Sequence, residues 1–173
     1  MSNENVRLGI PADADVIYNF LLNLHDENSI FSISEDRARR TIEEILTPQF
    51  GCIGIIENNG VIEGCIGLRV AQLWYTSEWF LDELWNYVHP DFRKTGHGSD
   101  LIDFAKKKST EVGLPLLMGI VTRKSLAPKA RLYQRKLSQI GAWFVYGRKF
   151  DDMYQQRKAI TKKMRHSTEE YIL

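Results

Sequence analysis

Cysteine is scarce in this 173-residue chain, with only Cys52 and Cys65 present. Two thiols make neither a disulfide framework nor a metal cluster, and the expected state is a pair of reduced core residues in a cytoplasmic protein. They fall on either side of an expected hairpin turn, which predicts that they lie near each other. No metal site is expected, because His25, His89, His97 and His166 lack ligand spacing with one another or with cysteine. Strong charge is missing too. A net charge of +1 points to neither nucleic acid nor a membrane through any global field. Apolar runs fall far short of a bilayer span, and the first residues lack a basic-then-apolar signal pattern. Repeats, low-complexity tracts and linkers are absent as well. What remains is a chain with 43% hydrophobic residues, long enough for one well-cored domain and short for two.

Against that background one stretch stands out: Asn86-Tyr87-Val88-His89-Pro90-Asp91-Phe92-Arg93-Lys94-Thr95-Gly96-His97-Gly98-Ser99. The apolar, aromatic run from Phe80 to Val88 predicts a strand, and Pro90 stops it. From His97 onward Leu101, Phe104, Ala105 and Lys108 recur at helical spacing, so a helix opens directly out of a basic, glycine-containing turn. Gly96 and Gly98 allow a ligand close to the backbone, and unpaired amides with the helix dipole favour an anion. Arg93 and Lys94 add cationic side chains. These features predict a diphosphate cradle. It is not a Walker loop, because the lysine and hydroxyl residue of that motif are missing. Nor is it a dinucleotide fingerprint, because Leu101 stands where the third glycine would be.

The rest of the chain predicts an alternating architecture. Asn5 to Ile10 forms a short first strand. After Pro11-Ala12-Asp13 a helix follows, with Ile17, Phe20, Leu21 and Leu24 on its apolar face. His25 to Ser32 is expected to be a loop, and a second helix runs from Ser34 until Thr47-Pro48. Gly51 to Glu57 and Val61 to Val70 flank the hairpin signal Asn58-Asn59-Gly60, with a further extension through Ala71 to Tyr75. A strand from Trp79 to Val88 leads into the cradle. The cradle helix ends near Val112, with Gly113 as C-cap. Leu116 to Val121 predicts a strand buried on both faces. Thr122 to Pro128 predicts a loop, Lys129 to Ile140 a helix burying Leu132, Leu137 and Ile140, and Trp143 to Phe150 a last strand. The expected fold is α/β (α+β), a mixed central sheet flanked by helices on both faces. Residues 1–150 would form one domain and 151–173 a polar, basic extension carrying Arg157, Lys158, Lys162, Lys163 and Arg165.

Val88-His89-Pro90-Asp91-Phe92-Arg93-Lys94-Thr95-Gly96-His97-Gly98 resembles the pyrophosphate loop of the GNAT superfamily of acyl-CoA-dependent N-acyltransferases, with Lys94 where that family has its first glycine. Ala130-Arg131-Leu132-Tyr133, followed by Gly141-Ala142-Trp143, resembles the family's later helix motif. Leu126 stands where an asparagine is frequent. The resemblance covers roughly residues 5 to 150 and implies splayed fourth and fifth strands that form the acyl-CoA slot. It implies acetyl-CoA as co-substrate, contacted by Tyr87, Val88, Arg93, Lys94, Thr95, Gly96, His97, Gly98 and Ser99, with Ser125 taking part of the missing asparagine's role. Details of both motifs also resemble a subgroup encoded by tailed phages and prophages.

Acyl transfer from a thioester to an amine requires a neutral amine, a stabilised oxyanion and a proton for the departing thiolate. A phenol suits the last task, and the resemblance implies Tyr133 as that acid; an ordinary helix tyrosine with a buried ring is the alternative. The backbone amide of Val88 would polarise the thioester oxygen. Glu83 or Asp82 would serve as base, Glu83 being preferred, although a surface carboxylate fits either position. Strand parity admits one of them to the cleft, unless a bulge shifts the count. The acceptor would enter beside the first two helices and the loop before the cradle strand, among His25, Asp26, Glu27 and Phe31 and Trp74, Tyr75, Trp79 and Phe80. Carboxylates suit a cationic amine and aromatics suit a ring; alternatively the tryptophans are core or a homodimer face. A binding protein for DNA or a host protein, with vestigial catalysis, is the rival to the enzyme.

Overall fold

The structure, a computed structural model, describes residues 5–28, 30–122 and 126–142. The chain divides into two compact units, residues 1–138 and 139–173. The first holds every helix and strand of the described residues, in the order β1 (Arg7–Leu8), α1 (Ala14–Asn28), α2 (Glu35–Ile45), β2 (Gly51–Asn58), β3 (Val61–Gln72), β4 (Trp79–Val88), α3 (His97–Val112), β5 (Leu116–Leu117) and α4 (Leu126–Lys136). The expected last strand, Trp143 to Phe150, and the tail 151–173 lie outside the described residues.

The sheet runs β1-β2-β3-β4-β5. Its first three pairings are antiparallel and the last, β4 with β5, is parallel. Asn59 and Gly60 both take positive φ, 51° and 78°, between the paired ends Asn58 and Val61. Two left-handed residues match the right-handed twist of the strands, so the short loop closes the hairpin. The alternation of strand side chains then separates two cores. Ile53, Ile55, Cys65 and Tyr87 pack with Ile17, Phe20, Ile42 and Ile45 of α1 and α2 on one face. Ile66, Leu68 and Leu81 pack with Leu101, Phe104 and Ala105 of α3 on the other. Each such buried aliphatic side chain contributes roughly 2 kcal/mol relative to exposure. Gly54 lets α3 approach: a Cβ there would lie 2.7 Å from the Phe104 ring.

The same alternation corrects the cysteine expectation. Cys52 pairs with Leu68 and Cys65 with Ile55, an odd step apart on β2, so the thiols occupy opposite faces. Both are free, and burial pushes them up to about 11 for Cys52 and about 12 for Cys65.

Helix α1 continues to Asn28, through the first half of the segment expected as a loop. Buried Asn28 rewards that extension, because its side-chain oxygen accepts from Thr122 Oγ1 at 2.8 Å. Strand β3 reaches Gln72, and Trp74-Tyr75 form the turn that follows rather than more strand. Strand β5 is far shorter than the apolar run Leu116 to Val121, and it is half-buried instead of covered on both faces. It pairs with β4 at Leu81–Leu116 and Asp82–Leu117 alone. Past those pairs the strands part, so the later residues of the run lose their ladder partner. Helix α4 starts at Leu126, inside the expected loop, because Pro128 in a first helical turn removes only an amide that has no partner there anyway. It ends at Lys136, and Ile140 is exposed rather than buried.

Candidate active site

The parting of β4 from β5 opens a gap along β4 from Glu83 to Val88. His89 donates its amide to Glu63 O on β3 at 2.9 Å. Amides alternate along a strand, so the Val88 amide points away from β3, into the gap. At the end of β4 the chain makes a 3-10 turn, Pro90–Phe92, and enters α3 through Gly96, whose φ of 95° is left-handed. A Cβ at Gly96 would meet nothing within 4 Å, so glycine is required there by conformation while the space around it is open. Ser99 and Asp100 donate back to Gly96 O, whereas the amides of Lys94, Gly96, His97 and Gly98 find no acceptor among the described residues. Unpartnered amides at the positive end of a 16-residue helix, open to solvent at Gly96, suit a diphosphate.

The side chains of this loop are arranged differently from the expectation. Arg93 does not offer its guanidinium to the cradle. It donates Nε to Val88 O at 3.2 Å and Nη2 to Glu27 Oε2 of α1 at 2.5 Å, and it lies 5.7 Å from the Tyr87 ring centroid. Glu27 also accepts from the Tyr87 hydroxyl at 3.2 Å. Burial and this carboxylate together push Tyr87 up to about 12. The Glu27 carboxylate holds Arg93 protonated, and the network closes the loop onto α1. Tyr87 thus presents its ring to the α1–α2 core rather than to the gap. His97 turns inward as well, with Nε2 2.6 Å from Glu63 Oε2 and Nδ1 buried without a partner among the described residues. Gly98 serves helix packing, since a Cβ there would stand 3.2 Å from Leu132 of α4. Thr95 closes the turn by donating Oγ1 to Phe92 O at 2.6 Å. Ser125 lies outside the described residues, and Leu126 is exposed at the first turn of α4.

Tyr133 and Glu83 meet directly. The phenol donates to Glu83 Oε1 at 2.8 Å, and Glu83 Oε2 accepts the Gly119 amide at 3.1 Å. One carboxylate therefore bridges β4, α4 and the segment after β5, across the gap. Desolvation pushes Glu83 up to about 7, against the pull of those two donors and of Lys129. Burial and the neighbouring carboxylate push Tyr133 far above the usual phenol value, so the hydroxyl keeps its proton. Asp82 is turned to the opposite face, where Arg69 Nη2 holds it at 3.2 Å. Two neighbours of the Tyr133–Glu83 pair were not singled out as site candidates in the sequence. Asn86 acts on the Tyr133 hydroxyl in the direction that lowers its pKa, and its even spacing from Val88 was the available signal. Lys129 stands one helical turn before Tyr133, a spacing that a helical wheel exposes.

The acceptor aromatics do not converge. Trp74 and Tyr75 form an edge-on pair in the β3–β4 turn, with Trp79 at the start of β4, and all three are exposed. The gap end of β4 is roughly 30 Å along the strand from that turn. Phe31, also exposed, follows α1 near the other end. A cavity of about 440 Å³ lies there instead, lined by Asn23, Asp26, Glu27, His89 and Arg93 among others. Among the described residues no group of three or more His, Cys, Asp or Glu is placed to hold a metal, and no helix is long and apolar enough to cross a membrane.

The chain is similar to several known proteins. An amino-acid acetyltransferase of Pasteurella multocida (strain Pm70) is 23% identical over 121 residues, 70% of this chain; those residues span 25% of that longer protein. An integron cassette protein from the mobile metagenome of Cole Harbour Salt Marsh superposes with a TM-score of 0.66 at 19% identity, covering 85% of this chain and 91% of its own. The aminoglycoside N-acetyltransferase AAC(6')-Iy, solved with a bisubstrate analogue of CoA and acetylneamine, superposes with a TM-score of 0.65 at 16% identity, covering 83% and 97%. The family description "Acetyltransferase (GNAT) domain" matches residues 49–136, from the β2–β3 hairpin through the cradle to the end of α4. With a five-stranded mixed sheet parted after Asp82 and helices on both faces, the chain belongs to the GNAT acetyltransferase domain family.

Proposed function

We propose that this protein is an acyl-CoA-dependent N-acyltransferase that moves an acetyl group from acetyl-CoA to an amine by direct attack. The observation that carries the reading is the Tyr133–Glu83 hydrogen bond across the gap beside a helix start whose amides have no partner. The amides of Gly96, His97 and Gly98 hold the pyrophosphate, and the Val88 amide polarises the thioester carbonyl. The amine enters neutral, having given its ammonium proton to solvent, and Glu83, poised at about 7, removes the second proton from its nitrogen as it attacks, directly or through water. Once protonated, its carboxyl becomes a donor toward the Tyr133 oxygen, and Tyr133 delivers its own proton to the departing thiolate. One proton leaves the amine and one reaches sulfur, so the relay returns both side chains to their starting state. Asp82 takes no part.

The acceptor is an amine; the amino acid and aminoglycoside named for the relatives mark the breadth of that class. The loop and α4 motifs also support a place in the phage and prophage subgroup, with a DNA base, a host protein or a small amine as acceptor. Calorimetric titration with acetyl-CoA tests the first step, with Gly96→Glu as control. Binding by the wild type that the substitution abolishes is expected, followed by release of free thiol when amines are added. No binding at millimolar acetyl-CoA would overturn the reading in favour of a GNAT-fold binding protein.

A further inference from the structure

Lys129 is absent from both motifs that carry the family resemblance, yet it stands where the relay is built. It is the fourth residue of α4, and Tyr133 follows at i+4, so the two share a helix face. That face carries Tyr133 to Glu83 at 2.8 Å. Lys129 is half-buried, whereas Leu126, Ala127 and Pro128 before it are exposed. No hydrogen bond or ion pair ties its ammonium to another described residue. We propose that Lys129 is a positioning residue of this site: its ammonium keeps Glu83 a carboxylate, aimed at the Tyr133 hydroxyl and able to accept a proton. The proposal rests on the reading of Glu83 as proton acceptor.

The groups that face Glu83 act in opposing directions. From α4, Tyr133 donates to it and Lys129 attracts its charge; from the segment after β5 the Gly119 amide donates; from its own strand Asp82 repels it. Lys129 feels burial first, which disfavours its charge. Attraction from Glu83 and Glu27 and repulsion from Arg93 follow. Glu27 and Arg93 neutralise each other through their ion pair at 2.5 Å. Glu83 is thus the carboxylate left for Lys129 to act on. Without the ammonium, burial would hold Glu83 protonated across the neutral range. A neutral carboxyl can still bond Tyr133 but can take no proton from an amine.

The test needs no acceptor. The protein is labelled with 13C at glutamate side-chain carboxyls, and the Glu83 signal, identified by its loss in Glu83→Gln, is titrated in wild type, Lys129→Met and Lys129→Arg. The expected result is a midpoint that moves up by about one pH unit in Lys129→Met and stays at the wild-type value in Lys129→Arg. An unchanged midpoint in Lys129→Met overturns the proposal. So does a shift of the same size in Lys129→Arg, because that would be a packing effect and not one of charge. In an amine-acetylation assay, the acidic limb of kcat/KM against pH should move with the Glu83 midpoint. If the protein fails to bind acetyl-CoA, the functional reading falls, while the titration still decides whether Lys129 sets the charge of Glu83.

Discussion

Replacing Glu83 with glutamine should stabilise the protein at alkaline pH while stopping turnover. In the folded chain burial pushes Glu83 from 4.5 to about 7. Between those values the unfolded chain releases a proton that the folded chain keeps, so wild-type stability falls as pH rises. The stabilisation is fully present below about 4.5 and is gone once pH passes 7. The gap corresponds to about 3 kcal/mol. Glutamine occupies the same space and cannot ionise. It can accept from Tyr133 or from Gly119 but not from both, which costs about 1 kcal/mol at every pH. Urea unfolding of wild type and Glu83→Gln at a series of pH values isolates this residue, because other titrating groups cancel in the difference. Glu83→Gln should be slightly less stable near pH 4 and about 2 kcal/mol more stable near pH 8, with the crossing between. A difference flat to within about 0.5 kcal/mol would refute the premise that Glu83 is desolvated at the gap.

Tyr133→Phe should lower kcat by about 100-fold with acetyl-CoA affinity unchanged, because only the proton donor is lost; calorimetry beside a thiol-release assay separates the two effects. Asp82→Asn should leave kcat within about twofold, since Asp82 faces Arg69 on the far side of the sheet. Gly98→Val should destabilise the fold by about 1–3 kcal/mol by driving α4 away through Leu132, measurable as a lower urea midpoint. Native protein should resist alkylation at Cys52 and Cys65 at pH 8, because burial keeps both as thiols, and should react once unfolded.

Much of the architecture was legible because its signals are local. Asn59-Gly60 specifies its turn, Gly113 ends α3 with a φ of 68°, and the Trp79–Val88 run has the predicted bounds. The fate of Leu116 to Val121 was not, because a buried strand and an apolar segment leaving a sheet share one composition. Side-chain destinations in the cradle escaped for a different reason. Arg93, His97 and Gly98 have the residue types of an anion site, yet each is engaged by a partner distant in sequence: Glu27, Glu63 and Leu132. No periodicity encodes such pairs. The strand, turn and helix start of this loop could be read, and its side-chain contacts could not.

The choice between Asp82 and Glu83 shows where sequence reasoning reaches its limit. In an uninterrupted strand Asp82, an even step from Val88, would share its face, and Glu83 would point with Tyr87 toward α1. Pairing with β3 instead joins Trp85 to Gly67 and Glu83 to Leu68, which leaves Leu84 as an extra residue. Gly67 and Leu68 face opposite sides, so Trp85 and Glu83 must as well. Leu84 and Trp85 both pack on the α1–α2 side, where Trp85 Nε1 meets Cys65 Sγ at 3.3 Å. Gly67 makes that packing feasible, because any Cβ there would lie within 2.5 Å of the Trp85 ring. The bulge therefore exchanges the carboxylates: Glu83 joins Asn86 and Val88 on the face that meets Tyr133, and Asp82 goes to Arg69. A glycine on one strand and a tryptophan on the next thus decide, from the opposite face of the sheet, which carboxylate stands at the gap.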